Sequence, residues 1–171
     1  LLSDPTIPTP QYIICDVGCT IVDGETLQPV QPIQGHIDNI WPGEHIVGNA
    51  VEQVCASLQR QDVPQERRCS YFCDADEIDA ALETLVEDLG CDLLYSADRY
   101  LDVLPKGINK GKTLLNLVNH LDIAIEKVLV AGDTLNDLSM YEHGFKGDCV
   151  GESEPALLAA TENSTRVMHA P

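Results

Sequence analysis

Apolar positions along the chain follow two periods, and the change from one to the other outlines its elements. Short runs rich in Val and Ile, too brief for helices, predict strands at Tyr12–Cys15 and Val128–Gly132, with shorter ones in Gly147–Gly151 and Arg166–Ala170. Spacing of three and four predicts helices elsewhere. Ile78, Ala81, Leu82, Leu85, Val86 and Leu89 share one face of a helix over Asp76–Leu89, closed by Gly90. Leu114, Leu117, Val118 and Leu121 do the same after Asn109, another helix starts at Leu138, and Pro155 sits in the first turn of one over Glu154–Ala160. Between residues 36 and 61 the apolar positions Ile37, Ile40, Trp41, Ile46, Val47, Val51, Val54 and Leu58 predict a helix pair or one helix interrupted at Pro42-Gly43. Cys69–Cys73 alternates as a strand, and Asp92–Ser96 and Arg99–Leu104 form two more joined by a tight Ala97-Asp98 turn. A β-α-β-β unit therefore separates two stretches of α/β character, with a polar, hinge-like segment from Gln61 to Arg68 before it. Residues 1–10, with three prolines, read as an extended lead-in.

Composition narrows the classes. With 171 residues and 44% hydrophobic content the chain holds one sizeable packed domain, or a core with a small addition. Ten Lys and Arg against 28 Asp and Glu give a formal charge of −18, which repels a phosphate backbone and argues against nucleic acid as a partner. No apolar run approaches membrane-spanning length, so no membrane partner is expected. Seven cysteines with no Cys-x-x-Cys pair and no zinc spacing predict free, buried, reduced thiols and a cytoplasmic protein. The chain starts Leu-Leu rather than Met, so this is not expected to be a native N-terminus. His36 and His45 read as solvated, and Trp41 as a packing anchor.

The candidate chemistry lies at the carboxyl end of the Val128 strand, where ligands bind in an open α/β sheet. There Gly132-Asp133-Thr-Leu-Asn136-Asp137 places two carboxylates, four residues apart, beside an amide. Paired carboxylates repel unless a cation lies between them, and hard oxygen donors suit Mg²⁺; the plainer alternative is a helix start capped by Asp133 or Asn136. Upstream, Leu101-Asp-Val-Leu-Pro-Lys-Gly-Ile-Asn-Lys110-Gly opens a helix with a lysine, against the local dipole, which an anion bound there would explain.

The succession of a strand ending Asp-Val-Leu-Pro, then Asn-Lys110-Gly, a helix, a strand and Gly-Asp133-Thr-Leu-Asn136-Asp137 resembles the haloacid-dehalogenase-like (HAD) phosphatases, in their sucrose-phosphatase-like branch. The resemblance implies an α/β, Rossmann-like core with a mainly parallel sheet at 1–63 and 106–171, and a small α+β cap at 64–105. It implies that Lys110 binds the transferred phosphoryl group, that Asn136 orients the phosphate or a metal-bound water, and that Asp133 and Asp137 serve a Mg²⁺ ion. Sugar contacts would come from the cap, with Arg67, Arg68, Tyr95, Ser96 and Arg99 as candidates.

These phosphatases carry their nucleophile in an N-terminal Asp-x-Asp-x-Thr motif, and Asp16-Val-Gly18-Cys-Thr20 looks like it with the second Asp lost. A later position fits better: the proline-rich segment, strand and Val-Gly turn are similar to the branch's third strand. No apolar strand ending Ser/Thr-Gly-Arg lies between Thr20 and Pro64. On that alignment Asp16 is a turn residue near the site. Two strand-helix units, on the order of 60 residues by the size of such units, are then missing, and the nucleophile with them. The function implied is Mg²⁺-dependent hydrolysis of a sugar phosphate, of sucrose-phosphate or glucosylglycerol-phosphate type, through an aspartyl-phosphate in the full-length parent, with this chain alone inactive. The rival is a non-catalytic sugar-phosphate-binding domain fused to a glycosyltransferase that makes an osmolyte phosphate.

Overall fold

The computed structural model describes residues 6–170, so the first half of the proline-rich lead-in lies outside the described residues. Three sheets form. Strand β1 (Tyr12–Cys15) turns back on β2 (Thr20–Asp23) as an antiparallel hairpin. Helices α1 (Ile33–Ile40) and α2 (Glu44–Val54) follow, so the 36–61 stretch is a helix pair, broken where Gly43 adopts a φ of 110°.

The second sheet is four-stranded and antiparallel, in the order β3 (Gln59–Arg60), β4 (Cys69–Phe72), β6 (Tyr100–Pro105), β5 (Cys91–Ser96). Strand β3 has two residues, too few to leave a period in the sequence. The Ala97-Asp98 turn joins β5 to β6 with both residues at positive φ, a geometry that matches strand twist, and Arg99 completes a three-residue loop. Helix α3 runs over Ala80–Asp88 rather than from Asp76. An Asp74/Glu77 capping box closes a separate 3-10 turn, and Asp79 then caps α3 by accepting from the Leu82 N–H. Ala81 is consequently exposed while Leu82 and Val86 are buried, and Gly90 ends the helix at φ +71° as expected. Val47 and Val51 of α2 join Tyr71, Leu82, Val86, Leu101 and Val103 in one apolar cluster, with Trp41 at its margin.

The loop from Gln61 to Arg68 is tied down. Buried Gln65 accepts from the Ser70 N–H at 2.8 Å and donates to the Gln61 carbonyl at 2.6 Å, and Gln61 donates to the Tyr71 carbonyl at 3.0 Å.

The third sheet is parallel: β7 (Leu129–Gly132), β8 (Lys146–Cys149) and β9 (Val167–His169). Helices α4 (Lys110–His120), α5 (Leu138–Tyr141) and α6 (Pro155–Thr161) supply its apolar cover through Val118, Tyr141 and Leu157, around Phe145. Helix α4 links two cores, because Leu117 packs with Cys19, Ile21 and Ile37 while Val118 packs with Val130 and Phe145. Among the described residues no strand pairs with the outer edge of β7 or of β1, so the hairpin and the parallel sheet stand apart on a shared helix.

Of the seven free thiols, five are buried, Cys55 is partly so and Cys15 is exposed, which departs from the expectation of uniform burial because Cys15 ends an edge strand. Among the described residues no helix is long and apolar enough to cross a membrane.

Candidate active site at the end of the parallel sheet

Strand β7 delivers its carboxyl end into a 3-10 turn, Leu135–Asp137, that leads straight into α5. Thr134 is the cap: it and Asp137 form a reciprocal capping box, so neither Asp133 nor Asn136 serves that role. Gly132 is needed for room rather than for an unusual φ, since a Cβ there would lie 2.6 Å from Cβ of Asp137. Asp137 is buried, and its Oδ2 accepts from the backbone N–H groups of Asp133 (3.1 Å) and Thr134 (3.3 Å).

Into this loop comes Lys110 from the first turn of α4. Its Nζ donates to Asn136 Oδ1 at 2.5 Å and to Asp137 Oδ1 at 2.6 Å. Asn109 caps α4 by accepting from the Lys112 N–H at 2.8 Å, while Lys112 itself is exposed. Two glycines hold the pieces in contact. A Cβ on Gly111 would meet the Ser139 carbonyl at 2.0 Å, and one on Gly18 would meet the Asn109–Lys110 peptide at 2.3–2.6 Å.

The Gly18 turn brings Asp16 to the same neighbourhood. Asp16 and Val17 both take positive φ (51° and 57°), a costly conformation for a β-branched residue, and Thr113 Oγ1 pins the turn by donating to the Gly18 carbonyl at 2.6 Å. The Asp16 carboxylate accepts from Thr20 Oγ1 at 2.7 Å and faces Arg68 at 3.5 Å. Arg68 also donates to buried Asp102 of β6 at 3.1 Å, which joins the antiparallel sheet to the turn. Burial, then the neighbouring Asp16 carboxylate, pushes the Cys15 thiol up from its ordinary value.

The other sequence candidates scatter. Arg67 pairs with Asp38 of α1 and with Glu66 (2.8 Å). Arg99 lies 4.8 Å over the Phe72 ring on the antiparallel sheet, in a cleft lined only by that sheet's own unit. Tyr95 and Ser96 line a cavity that also includes Leu135 of the Asp133 loop. Glu154, which the sequence marks only as the start of the Pro155 helix, also meets the Asp133 loop. Its N–H donates to the Asp133 carbonyl at 2.8 Å and its Oε2 accepts from the Leu135 N–H at 2.8 Å, so it braces the loop from behind.

Among the described residues no group of three or more His, Cys, Asp and Glu side chains is arranged to hold a metal ion. The donors present are still the right kind for a hard cation. Asp133 is exposed, with no hydrogen bond or ion pair to its carboxylate among the described residues, whereas both oxygens of Asp137 are engaged.

The family model described as Sucrose-6F-phosphate phosphohydrolase matches residues 1–170. A glucosylglycerol-phosphate synthase from Pseudomonas anguilliseptica is 56% identical over 171 residues, 99% of this chain but only 22% of that protein. A mannosylfructose-phosphate phosphatase from Agrobacterium fabrum is 30% identical over 99% of this chain and 70% of its own length. The sucrose-phosphatase of Synechocystis sp. PCC6803, solved with sucrose and phosphate, superposes with a TM-score of 0.80 over 96% of this chain and 70% of that one, at 24% identity, which establishes the shared α/β fold. The chain thus spans about a fifth of the synthase and 70% of the phosphatase. With the family model covering nearly its whole length, this chain belongs to the sucrose-6F-phosphate phosphohydrolase family of HAD-fold proteins.

Proposed function

We propose that this chain is the phosphoryl- and sugar-binding part of a Mg²⁺-dependent phosphatase acting on a phosphorylated glycoside of the glucosylglycerol-phosphate type. The observation that carries the reading is the Lys110 ammonium, held within 2.6 Å of Asn136 and Asp137 at the carboxyl end of the parallel sheet. In this role Lys110 offers a fixed positive charge to phosphoryl oxygens, and it costs little reorganisation because the carboxylate and amide already orient it. Asn136, whose Oδ1 already accepts from Lys110, offers its Nδ2 amide hydrogens to the phosphate. Asp133 is the exposed carboxylate that would hold Mg²⁺, while Asp137 positions Lys110 and the loop amides behind it. The ion, when bound, supplies charge neutralisation at the phosphoryl oxygens.

Asp16 is a poor nucleophile in this reading: its carboxylate is engaged by Thr20 and Arg68. The attacking carboxylate is assigned to a segment of the parent protein outside this chain. The unpaired outer edges of β1 and β7, above the same helix α4, suit its insertion as added strands. The antiparallel sheet with α2 and α3 is then the cap, which extends the expected 64–105 back to Glu44 because Val47 and Val51 of α2 pack with Tyr71 and Leu101, and Arg68 is its polar tie to the core.

The 56% identity to one part of a much longer synthase favours a second reading, a domain that binds a sugar phosphate and regulates a fused glycosyltransferase. Phosphate release separates the two. The protein carrying this chain is incubated with glucosylglycerol phosphate and sucrose phosphate with and without Mg²⁺, alongside its Lys110→Ala variant. Metal-dependent release lost in the variant supports the phosphatase. Absence of release, with a Lys110-dependent rise in Tm on adding the same compounds, supports the binding domain.

A further inference from the structure

The chain passes between the core and the antiparallel unit twice, at residues 41–43 and 106–109. Each crossing holds a glycine at positive φ, Gly43 at 110° and Gly107 at 72°, and a Cβ on either would meet nothing within 4 Å. The backbone is therefore unpacked at both points, and side chains decide how the two units sit. Among the described residues two ion pairs span the boundary, from adjacent arginines. Arg67 reaches Asp38 of α1, a helix that supplies no residue to the candidate site. Arg68 reaches Asp16, whose turn presses through Gly18 on the peptide between Asn109 and Lys110.

The second pair differs from the first in what it holds. The Arg68 side chain is 17% exposed and lies between Asp16 and the buried carboxylate of Asp102. Its Nε is buried without a hydrogen-bond partner among the described residues, and at 3.5 Å from Asp16 Oδ1 it misses a bond by only a few tenths of an ångström. A buried donor left idle is destabilising, so a closer approach of Arg68 to the turn is favoured. The turn itself is strained, with Asp16 at φ 51° and Val17 at φ 57°, and such backbone persists only where its surroundings over-determine it. Thr20 and Thr113 hold it from the core, and Arg68 from the antiparallel unit.

We propose that Arg68 is a positioning residue for the phosphoryl site: by fixing the Asp16–Gly18 turn it fixes the first turn of α4, and with it the Lys110 ammonium. The proposal rests on the reading that Lys110 receives the phosphoryl group. In this role Arg68 touches neither Lys110 nor the ligand. Its effect passes through the Asp16 carboxylate, Gly18 and the Asn109–Lys110 peptide, so the seating of the antiparallel unit and the strength of the phosphoryl site are coupled.

The test titrates inorganic phosphate by calorimetry into the full-length protein that carries this chain, with Tm recorded for each variant. Asp16→Asn keeps an acceptor for Thr20 but removes the charge that Arg68 faces, and phosphate affinity is expected to fall about fivefold, the low end of coupling between sites. Arg68→Met is expected to lower it by a similar factor, and Arg68→Lys to retain part of it. The two changes Asp16→Asn and Arg68→Met together are expected to cost no more than either alone, as for residues acting along one path. Arg67→Met breaks the neighbouring pair and is expected to leave phosphate affinity unchanged, which separates positioning from a general loosening of the boundary. Asp102 loses its cation in Arg68→Met, so if that variant unfolds the Asp16→Asn result decides. Unchanged affinity in Asp16→Asn overturns the proposal, as does an equal loss in Arg67→Met. A higher affinity in Asp16→Asn also overturns it, because the carboxylate then faces the phosphate itself. Failure of the phosphoryl reading appears differently, as phosphate affinity that Lys110→Ala leaves unaltered, and the proposal falls with it.

Discussion

The antiparallel unit and the parallel unit of this molecule are finished to different degrees. In the antiparallel unit, α2 and α3 cover the sheet, and Tyr71, Leu82 and Leu101 are wholly buried. In the parallel unit, Leu129 and Met168 stand 68% and 67% exposed on the strands, and the outer edge of β7 has no partner among the described residues. Parallel sheets are ordinarily covered on both faces, because their crossover helices pack there. The antiparallel unit covers its own sheet, while the parallel unit carries the candidate site and an open flank together. Lys110, Asn136, Asp133 and Asp137 all belong to the open part.

The largest expected effect sharpens how the pieces are joined. Gly111→Ala would press a methyl group into the Ser139 carbonyl. A loss of about 3 kcal/mol in urea unfolding is expected, as is a phosphate affinity that falls with it. A near-neutral result would mean that α4 and α5 are not in contact as described.

Leu82→Ala and Leu129→Ala test the contrast itself. The first removes a fully buried side chain from the antiparallel core and is expected to cost about 3 kcal/mol; the second is expected to change stability by less than about 0.5 kcal/mol. Equal losses would break the comparison, since they would mean that the Leu129 face is covered in solution.

Lys110→Ala strands the buried Asp137 carboxylate, which retains the Asp133 and Thr134 N–H groups and the Thr134 hydroxyl as donors but no counter-charge. Since Lys110 is itself partly solvated, the expected cost is about 1–2 kcal/mol, below that of breaking a fully buried pair. Lys110→Ala combined with Asp137→Asn should recover part of it.

The smallest effect is alkaline. Burial pushes the Cys69 thiol up to about 11 and that of Cys91 up to about 12, from an ordinary 9.0. The folded state therefore favours the protonated thiols. Their contribution is complete below pH 9 and is lost as pH rises through 9 towards 12, where the unfolded chain sheds protons more readily. A Tm that declines above pH 9, less so in Cys91→Ala, is the expected result. Cys19, outside the antiparallel core, is raised further still by burial and adds to the decline from pH 9.0 upward, and Tyr141, also raised by burial, adds to it above its ordinary 10.0.

Much of this was legible in the chain of residues. The periods of three and four and the short apolar runs marked most helices and strands, and of the residues in Lys110-Gly111 and Asp133-Thr-Leu-Asn136-Asp137 the fold brings Lys110 into contact with Asn136 and Asp137 but leaves the Asp133 carboxylate apart. Local chemistry carries that information: a capping Asn109, a Thr134/Asp137 box and a Pro155 start each depend on neighbours in sequence. What only the tertiary structure decided involves partners far apart. The two-residue β3 exists because β4 pairs with it, and Gly18 is required because a peptide 91 residues later presses on it. Asp16 is turned towards Arg68 by a strained turn pinned through Thr113. Arg67 and Arg99, alike in sequence to Arg68, are led elsewhere by Asp38 and by the Phe72 ring. Glu154 braces the Asp133 loop only because the fold sets the start of α6 against it. Propensity and period are properties of a few adjacent residues, whereas burial, pairing and unmet hydrogen bonds arise from segments that the folded chain alone brings together.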